Sequence, residues 1–254
     1  MSGKMGSELF FSGSILHKKN NSDPMHVTAI VLAAGKGLRL KSKISKPLIK
    51  IDSKPLIIYS LDTLSKHPYI KDIIVVVNRR NLEGIRNRIK QYRINKIKDV
   101  VLGGRLRQDS VFNGLRVTAE QTDMVLIHDG GRPFIGREMV SSAIKAAKKY
   151  GCAIVGVPVK ATIKKIKNQK SKIKMVEKTI DRNNLWEIQT PQVFKRELIL
   201  RAYKKFANTA VTDEAMLVEK LKANVGIVLG TYKNIKITTP EDLVLAEAIA
   251  KNLT

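Results

Sequence analysis

From His26 onward the sequence predicts an α/β fold, a mostly parallel central sheet covered by helices on both faces. Three observations predict it. Short apolar runs rich in β-branched residues alternate with longer amphipathic stretches, about every 20 to 30 residues. That spacing leaves room for a right-handed crossover helix between neighbouring parallel strands. The glycine-bearing segments GKG, LGG and HDGGRP directly follow three of the runs, at the carboxyl edge where such sheets bind ligands.

The elements follow in order. HVTAIVLAA (26–34) is compact and β-branched, a buried strand. KPLIIYSLDTLSKHP (54–68) carries Leu56, Ile57, Leu61 and Leu64 at helical spacing, and Pro68 closes it. KDIIVVVN (71–78) is a second buried strand, LEGIRNRIKQY (82–92) a helix with a basic outer face, and KDVVLGG (98–104) a third strand. RQDSVFNGLRVTA (107–119) reads as a helix with Val111, Leu115 and Ala119 on one face. DMVLIHDGGRP (123–133) is a strand ending on an aspartate and two glycines, and REMVSSAIKAAKKYG (137–151) a helix that Gly151 terminates. AIVGVPVK (153–160) is another strand.

The pattern then changes. TIKKIKNQKSKIKMVEKTIDR (162–182) alternates apolar and basic residues around a polar tip, the signature of a hairpin. It is too hydrophilic to hold a core of its own and is expected to lean on a partner subunit. ELILRAYKKFA and TDEAMLVEKLKA return to helix, VGIVLG and IKIT to strand, and TPEDLVLAEAIAKN to a last helix with Thr239 as cap and Pro240 as first residue.

The 254 residues suffice for one large domain, expected over 26–254 with the arm at about 158–182. Residues 1–25 lack periodicity and read as a leader or extension. One cysteine, Cys152, excludes an intrachain disulfide framework; without a recognisable signal peptide it suggests a cytoplasmic protein. No apolar run approaches the roughly 18 residues of a membrane span. The net charge of +25 favours an anionic partner. The cations are spread along the whole chain with few aromatics between them, which argues against a stacking-based nucleic-acid binder.

Gly35 and Gly37 follow a strand, but Leu40 breaks the dinucleotide-binding glycine pattern, and the Walker spacing is absent. The segment reads either as an ordinary strand-to-loop turn or as a phosphate cradle, with Arg39 and Lys46 supplying compensating charge. Lys41, Lys43 and Lys50 are left as surface charge. Asp129 ends a strand where phosphates would lie; it either caps the next turn or holds Mg²⁺, which needs one or two carboxylates when phosphates complete its shell. His128 is assigned no chemistry. DRNNLWEIQTPQVF (181–194) is either a packed loop with Trp186 in the core, or a polar wall in which Arg182 reaches an anionic site lined by Thr190 and Gln192. Lys236, in a strand, would be costly to bury without an anion.

Taken in order, LAAGKGLRL, SKP, GGRLRQDSVFNGL, HDGGRPF, VPVKATIKK, DRNNLWEIQTPQVF, TDEA and NIKITTPEDL resemble the 2-C-methyl-D-erythritol 4-phosphate cytidylyltransferase family over about residues 27–250. The resemblance implies a Rossmann-like nucleotidyltransferase fold and a homodimer clasped by the β-arm. It implies transfer of CMP from CTP to methylerythritol phosphate, with Mg²⁺ as cofactor and no nucleic acid or membrane as partner. Arg39, Lys46 and Lys236 then match the family's catalytic cations, and Ala33, Ala34, Gly35, Gly37, Gly104 and Ser110 its cytidine-binding positions. Asp129 matches the metal ligand, and Thr162 and Arg182 the sugar-phosphate contacts, Arg182 from the other subunit. Gly130 and Gly131 stand where the family commonly has alanines, Ala161 where it often has aspartate, and Tyr232 and Lys233 where it often has acidic residues. Ribitol-5-phosphate cytidylyltransferase is the nearest alternative, and a non-catalytic basic nucleic-acid-binding protein the distant one.

Overall fold

The computed structural model describes residues 25–35, 37–40, 42, 44–167, 172–207 and 209–252. The expected leader lies outside them apart from Met25, which packs half-buried on the core. Lys41, Lys43 and the tip of the expected hairpin, 168–171, lie outside them too.

The first half of the chain alternates strand and helix: β1 Val27–Ala33, a small hairpin of β2 Lys50–Ile51 and β3 Lys54–Pro55, α1 Leu56–Ser65, β4 Ile70–Val77 and α2 Leu82–Gln91. Then come β5 Ile97–Leu102, α3 Arg107–Arg116, β6 Met124–Asp129, α4 Arg137–Tyr150 and β7 Cys152–Pro158. The arm is an antiparallel pair, β8 Ile163–Ile166 and β9 Val176–Ile180. After it follow β10 Trp186–Lys195, α5 Arg196–Phe206, α6 Ala215–Lys220, β11 Gly226–Leu229 and α7 Pro240–Lys251.

Seven strands form one sheet in the order β11-β7-β10-β6-β1-β4-β5. All neighbours are parallel except β10, which runs antiparallel between β6 and β7. Strand periodicity sends successive side chains to opposite faces, so each strand feeds two cores. On one face Ala29, Val31, Val75, Val77 and Leu126 meet α1 through Ile57, Leu61 and Leu64, and α4 through Val140, Ala143 and Ile144. On the other, Ile30, Ile74, Val76, Val125 and Ile127 meet Val111 and Leu115 of α3 and Ile199, Leu217 and Val218 of α5 and α6. A smaller cluster seats α7 through Ala246 and Ala250 on Leu40, Ile51, Phe134 and Ile237. Helix α3 lies so close to the sheet that a Cβ on Gly114 would sit 2.7 Å from Ile30 Cγ2 and 3.2 Å from Val76 Cγ2.

The cap assignments agree with the structure. Gly151 ends α4 at φ +89°, a left-handed conformation natural to glycine. The Asp242 carboxylate accepts the Thr239 N–H at 2.8 Å at the start of α7, with Pro240 as its first residue.

Three expectations are corrected. IKIT (235–238) is not a strand: Ile237 N–H donates to Gly131 O at 2.9 Å, and the next backbone N–H, on Thr238, is taken by Asp242 at 2.7 Å, so no ladder forms. The segment 181–194, read either as a packed loop with Trp186 in the core or as a polar wall, contains β10, a strand inside the sheet, and Trp186 is 37% exposed. Its pairing with β7 is interrupted between Gln189 and Gln192, where the Thr190–Pro191 peptide is cis. Pro191 lacks a ladder donor, and it occupies that interruption. The helix expected over TDEAMLVEKLKA is also shorter, confined to Ala215–Lys220.

Candidate active site

The carboxyl ends of β1, β4, β5 and β6 converge on a cleft of about 980 Å³. Its floor is the chain leaving β1. Asn78 and Asn81, just after β4, donate their side-chain amides to Ala34 O at 3.1 Å and Ala33 O at 3.3 Å, holding this backbone in place. Gly37 turns the chain at φ +65°, and its carbonyl accepts Leu40 N–H at 3.1 Å. From the other side the β5–α3 turn closes in. A Cβ on Gly103 would lie 2.6 Å from Ala34 Cβ, and one on Gly104 would lie 2.2 Å from Asp109 Cβ. Ser110 Oγ accepts Gly104 N–H at 3.1 Å, so the glycine pair and the start of α3 are fixed together.

Asp129, at the end of β6, is the centre of charge. Lys236 Nζ lies 2.6 Å from its Oδ2, and Arg107 Nε lies 3.4 Å from its Oδ1. Burial alone would raise the Asp129 carboxyl, but Arg107, Lys236 and Arg132 together outweigh it and hold it well below the usual carboxylate range. Arg107 also donates from Nη1 to both oxygens of the fully buried Glu214, at 2.7 and 2.6 Å. Burial pushes the Glu214 carboxyl up against the opposing pull of Arg107. The Arg107 guanidinium is desolvated, yet the two carboxylates hold it above its ordinary value. Lys46 sits across the cleft with its ammonium against the Gly131 backbone, where a Cβ would come within 2.6 Å of Nζ. Burial, then the charges of Lys236 and Arg39, pull it down from 10.5 to about 8, with Asp129 opposing.

A buried relay fixes the far side of Asp129. Its N–H donates to Thr190 Oγ1 at 3.0 Å, and Thr190 Oγ1 lies 3.1 Å from His128 Nδ1. His128 Nε2 faces the Arg132 carbonyl at 3.0 Å. A carbonyl only accepts, so Nε2 carries the proton, Nδ1 accepts from the threonine hydroxyl, and the ring is neutral. Burial pulls its pKa down to about 4. Arg132 is 7% exposed and donates to Asn234 O at 2.7 Å, tying β6 to the segment that carries Lys236.

Most of the sequence-predicted residues therefore meet. Ala33, Ala34, Gly35, Gly37, Lys46, Gly104, Ser110, Asp129 and Lys236 line the cleft. Arg39 stands on an exposed turn, is not among the residues lining the cleft, and acts on Lys46 through its charge. Thr162 and Arg182 do not join them: both are exposed on the arm, where Arg182 Nη1 donates to Lys160 O. Residues missed by the sequence reading complete the centre. Arg107, Asp129 and Lys236 also border a second pocket of about 210 Å³, walled by Arg132, Gln189, Thr190, Gln192, Thr212 and Asp213. Thr190 and Gln192 were expected to line an anionic site; the arginines beside them are Arg107 and Arg132 rather than Arg182. The LRQDS and GGRP strings placed both arginines next to flagged residues, and that was their only signal.

A cleft bounded by glycine turns, with cations around one carboxylate and a small polar pocket behind, suits transfer between two phosphate-bearing molecules. The comparisons with known proteins agree. Residues 27–252 match the family model described as IspD: 2-C-methyl-D-erythritol 4-phosphate cytidylyltransferase. A protein of that name from Clostridium botulinum (strain Langeland) is 42% identical over 229 residues, covering 89% of this chain and 98% of its own. The Alkaliphilus metalliredigens protein of the same name is 43% identical over 226 residues, covering 88% and 92%. The crystal structure of 4-diphosphocytidyl-2C-methyl-D-erythritol synthase from Anaerococcus prevotii superposes with a TM-score of 0.79 at 34% identity, covering 90% of this chain and 97% of that one. With the seven-stranded sheet, the glycine turns and the Asp129 cluster all inside the matched span, the chain belongs to the 2-C-methyl-D-erythritol 4-phosphate cytidylyltransferase family.

Proposed function

We propose that the chain transfers CMP from CTP to 2-C-methyl-D-erythritol 4-phosphate, releasing pyrophosphate in isoprenoid precursor synthesis. One observation carries the division of labour: Arg107, Asp129 and Lys236 border both pockets. The larger takes the nucleotide, the smaller the sugar phosphate, and the reacting phosphates meet at that boundary. A phosphate oxygen of the acceptor attacks the α-phosphorus of CTP, the bond to the β-phosphate oxygen breaks, and pyrophosphate leaves with the electron pair. A phosphate oxyanion needs no general base, which accords with the neutral, fully engaged His128. Lys46 and Lys236 neutralise charge gained by the α-phosphate and leaving group, and Arg39 adds its charge to theirs.

Among the described residues Asp129 is the only carboxylate lining the large cleft, and no group of three or more metal-ligating side chains occurs. That donor set fits Mg²⁺ brought in with the triphosphate, with Asp129 as its protein ligand, rather than a cage supplied by the protein. Bound there, Mg²⁺ would offset phosphate charge. The backbone at Ala33–Gly37 and Gly104, with Ser110, would hold the cytidine.

The arm supplies the remaining part of the proposal. Ile166, Met175 and Val176 are 40%, 55% and 49% exposed on a two-stranded ribbon outside the main sheet. Such a ribbon gains stability by packing on a second copy, so we place it in a homodimer interface, where Thr162 and Arg182 would approach the partner's sugar-phosphate pocket. Among the described residues no helix is long and apolar enough to cross a membrane, and the sole cysteine, Cys152, is buried. Both fit a cytoplasmic enzyme.

Pyrophosphate release from CTP tests the reading. It should require the acceptor, and should be at least about a hundredfold faster with methylerythritol phosphate than with ribitol 5-phosphate, about 2.7 kcal/mol of discrimination. Preference for ribitol 5-phosphate would redirect the assignment. Salt-sensitive nucleic-acid binding without pyrophosphate release would replace it with the non-enzymatic alternative.

A further inference from the structure

The mouth of the large cleft carries more positive charge than the Asp129 cluster employs. Among the described residues six cations line the cleft, and three of them, Arg79, Arg80 and Arg105, are not part of that cluster. All three are exposed, beyond the carboxyl ends of β4 and β5.

Their placement is built rather than incidental. Arg79 and Arg80 form the tip of the 78–81 turn. Asn81 N–H donates to Asn78 O at 3.0 Å and Oδ1 at 2.9 Å, and the two asparagine amides bind the Ala34 and Ala33 carbonyls at the cleft floor. Arg105 lies between two pinned neighbours. Gly104 N–H is held by Ser110 Oγ at 3.1 Å, and Leu106 N–H by Asp109 Oδ2 in the first turn of α3 at 2.9 Å. Two hydrogen-bonded turns thus present three exposed guanidinium groups to anything entering.

We propose that Arg79, Arg80 and Arg105 form an electrostatic capture rim for the polyanionic nucleoside triphosphate, speeding its association rather than assisting the chemical step. The inference rests on reading the cleft as the nucleotide site. Exposed charges act through water over a Debye length of about 10 Å at 0.1 M ionic strength and about 3 Å at 1 M. A rim at the entrance therefore works at the lower value, and cations elsewhere on the surface do not. Steering of this kind raises association rates by roughly 10- to 1,000-fold. With Lys46, Arg107 and Lys236 retained, the rim's share should fall at the low end.

The test measures nucleotide association by stopped flow with a fluorescent ribose-modified CTP and no acceptor, so it stands apart from turnover. The rim variant Arg79→Gln/Arg80→Gln/Arg105→Gln should bind about five- to tenfold more slowly at 0.1 M ionic strength and within about twofold of wild type at 1 M. The triple Arg→Lys variant should associate at nearly the wild-type rate, because charge and not guanidinium geometry is required. Lys145→Gln/Lys148→Gln/Lys149→Gln removes three exposed charges from the far end of α4 and should leave the rate within about twofold. The proposal is overturned by an unchanged rate in the glutamine rim variant, by equal slowing in the α4 variant, by a defect persisting at 1 M, or by failure of the lysine rim variant to restore the rate. Loss of acceptor-dependent pyrophosphate release in the wild-type protein would instead overturn the functional reading.

Discussion

Lys46 combines a catalytic assignment with a perturbed pKa, and the two together predict a pH profile. Its ammonium lies in the cleft against Gly131, and burial with the charges of Lys236 and Arg39 brings it from 10.5 to about 8. The charged form is the one that neutralises the triphosphate. Lowering the pKa therefore means activity is lost as pH rises through about 8, and at pH 9 about nine-tenths of the free enzyme carries a neutral Lys46. kcat/KM for CTP should fall close to tenfold per unit above that point. Bound phosphates favour the ammonium, so the alkaline limb of kcat should lie higher than that of kcat/KM. Lys46→Met should lower kcat by about 100- to 1,000-fold, the effect of removing one preorganised charge-stabilising donor, and should abolish the limb. Lys46→Arg stays charged throughout and should displace the limb upward, though with a lower plateau because the larger head group meets Gly131. Steady-state pyrophosphate release between pH 6.5 and 9.5, with free Mg²⁺ held constant, reads all three. A wild-type profile flat to pH 9.5, or a Lys46→Met enzyme with the same limb, would refute the reasoning.

Three further outcomes are expected. Lys236→Met removes the 2.6 Å partner of Asp129 and a charge at the boundary of both pockets, and should reduce kcat about 100-fold or more while the urea midpoint stays near wild type; near-normal kcat would remove Lys236 from the catalytic set. Gly114→Val drives a branched side chain into Ile30 and Val76 and should cost about 1–3 kcal/mol, read by chemical denaturation; no loss would show that α3 can shift away from the sheet. His128 has a folded pKa of about 4 against 6.5 unfolded, so as pH falls the unfolded chain takes its proton first, and stability is lost between about 6.5 and 4, up to about 3 kcal/mol. Urea midpoints at stepped pH in the presence of EDTA should show this slope in the wild type and lose most of it in His128→Gln; equal slopes would contradict the buried neutral ring.

The parts legible in the sequence were those where one physical requirement dominates the local composition. β1, β4, β6 and β7 are buried on both faces over most of their length and so read as largely apolar runs, and the glycine turns sit where the backbone must pass closely. β10 did not read as a strand because Gln189, Thr190, Pro191 and Gln192 interrupt its apolar pattern. Gln189, Thr190 and Gln192 wall the second pocket, so the polar residues that hid the strand are the ones that give it a role. IKIT misled in the opposite sense: its alternation reflects Ile237 entering the α7 cluster while Lys236 reaches Asp129, a split that one backbone bond to Gly131 sustains without a ladder. Asp129 was legible as a site carboxylate from its place after a strand. Its dependence on Arg107 and Glu214 was not, because a pair 107 residues apart leaves no local pattern. Thr162 came from resemblance alone and Arg182 also from its place beside a polar stretch, and within this chain both stay on the arm.

The central claim is that an acceptor phosphate attacks the α-phosphorus of CTP where the two pockets meet. ³¹P NMR of a reaction with methylerythritol phosphate whose phosphate oxygens carry ¹⁸O tests it most directly. The account predicts two mutually coupled diphosphate-diester resonances with ¹⁸O in the bridging position, and pyrophosphate free of label. Label in the pyrophosphate, or pyrophosphate formed without any diphosphate diester, would contradict it.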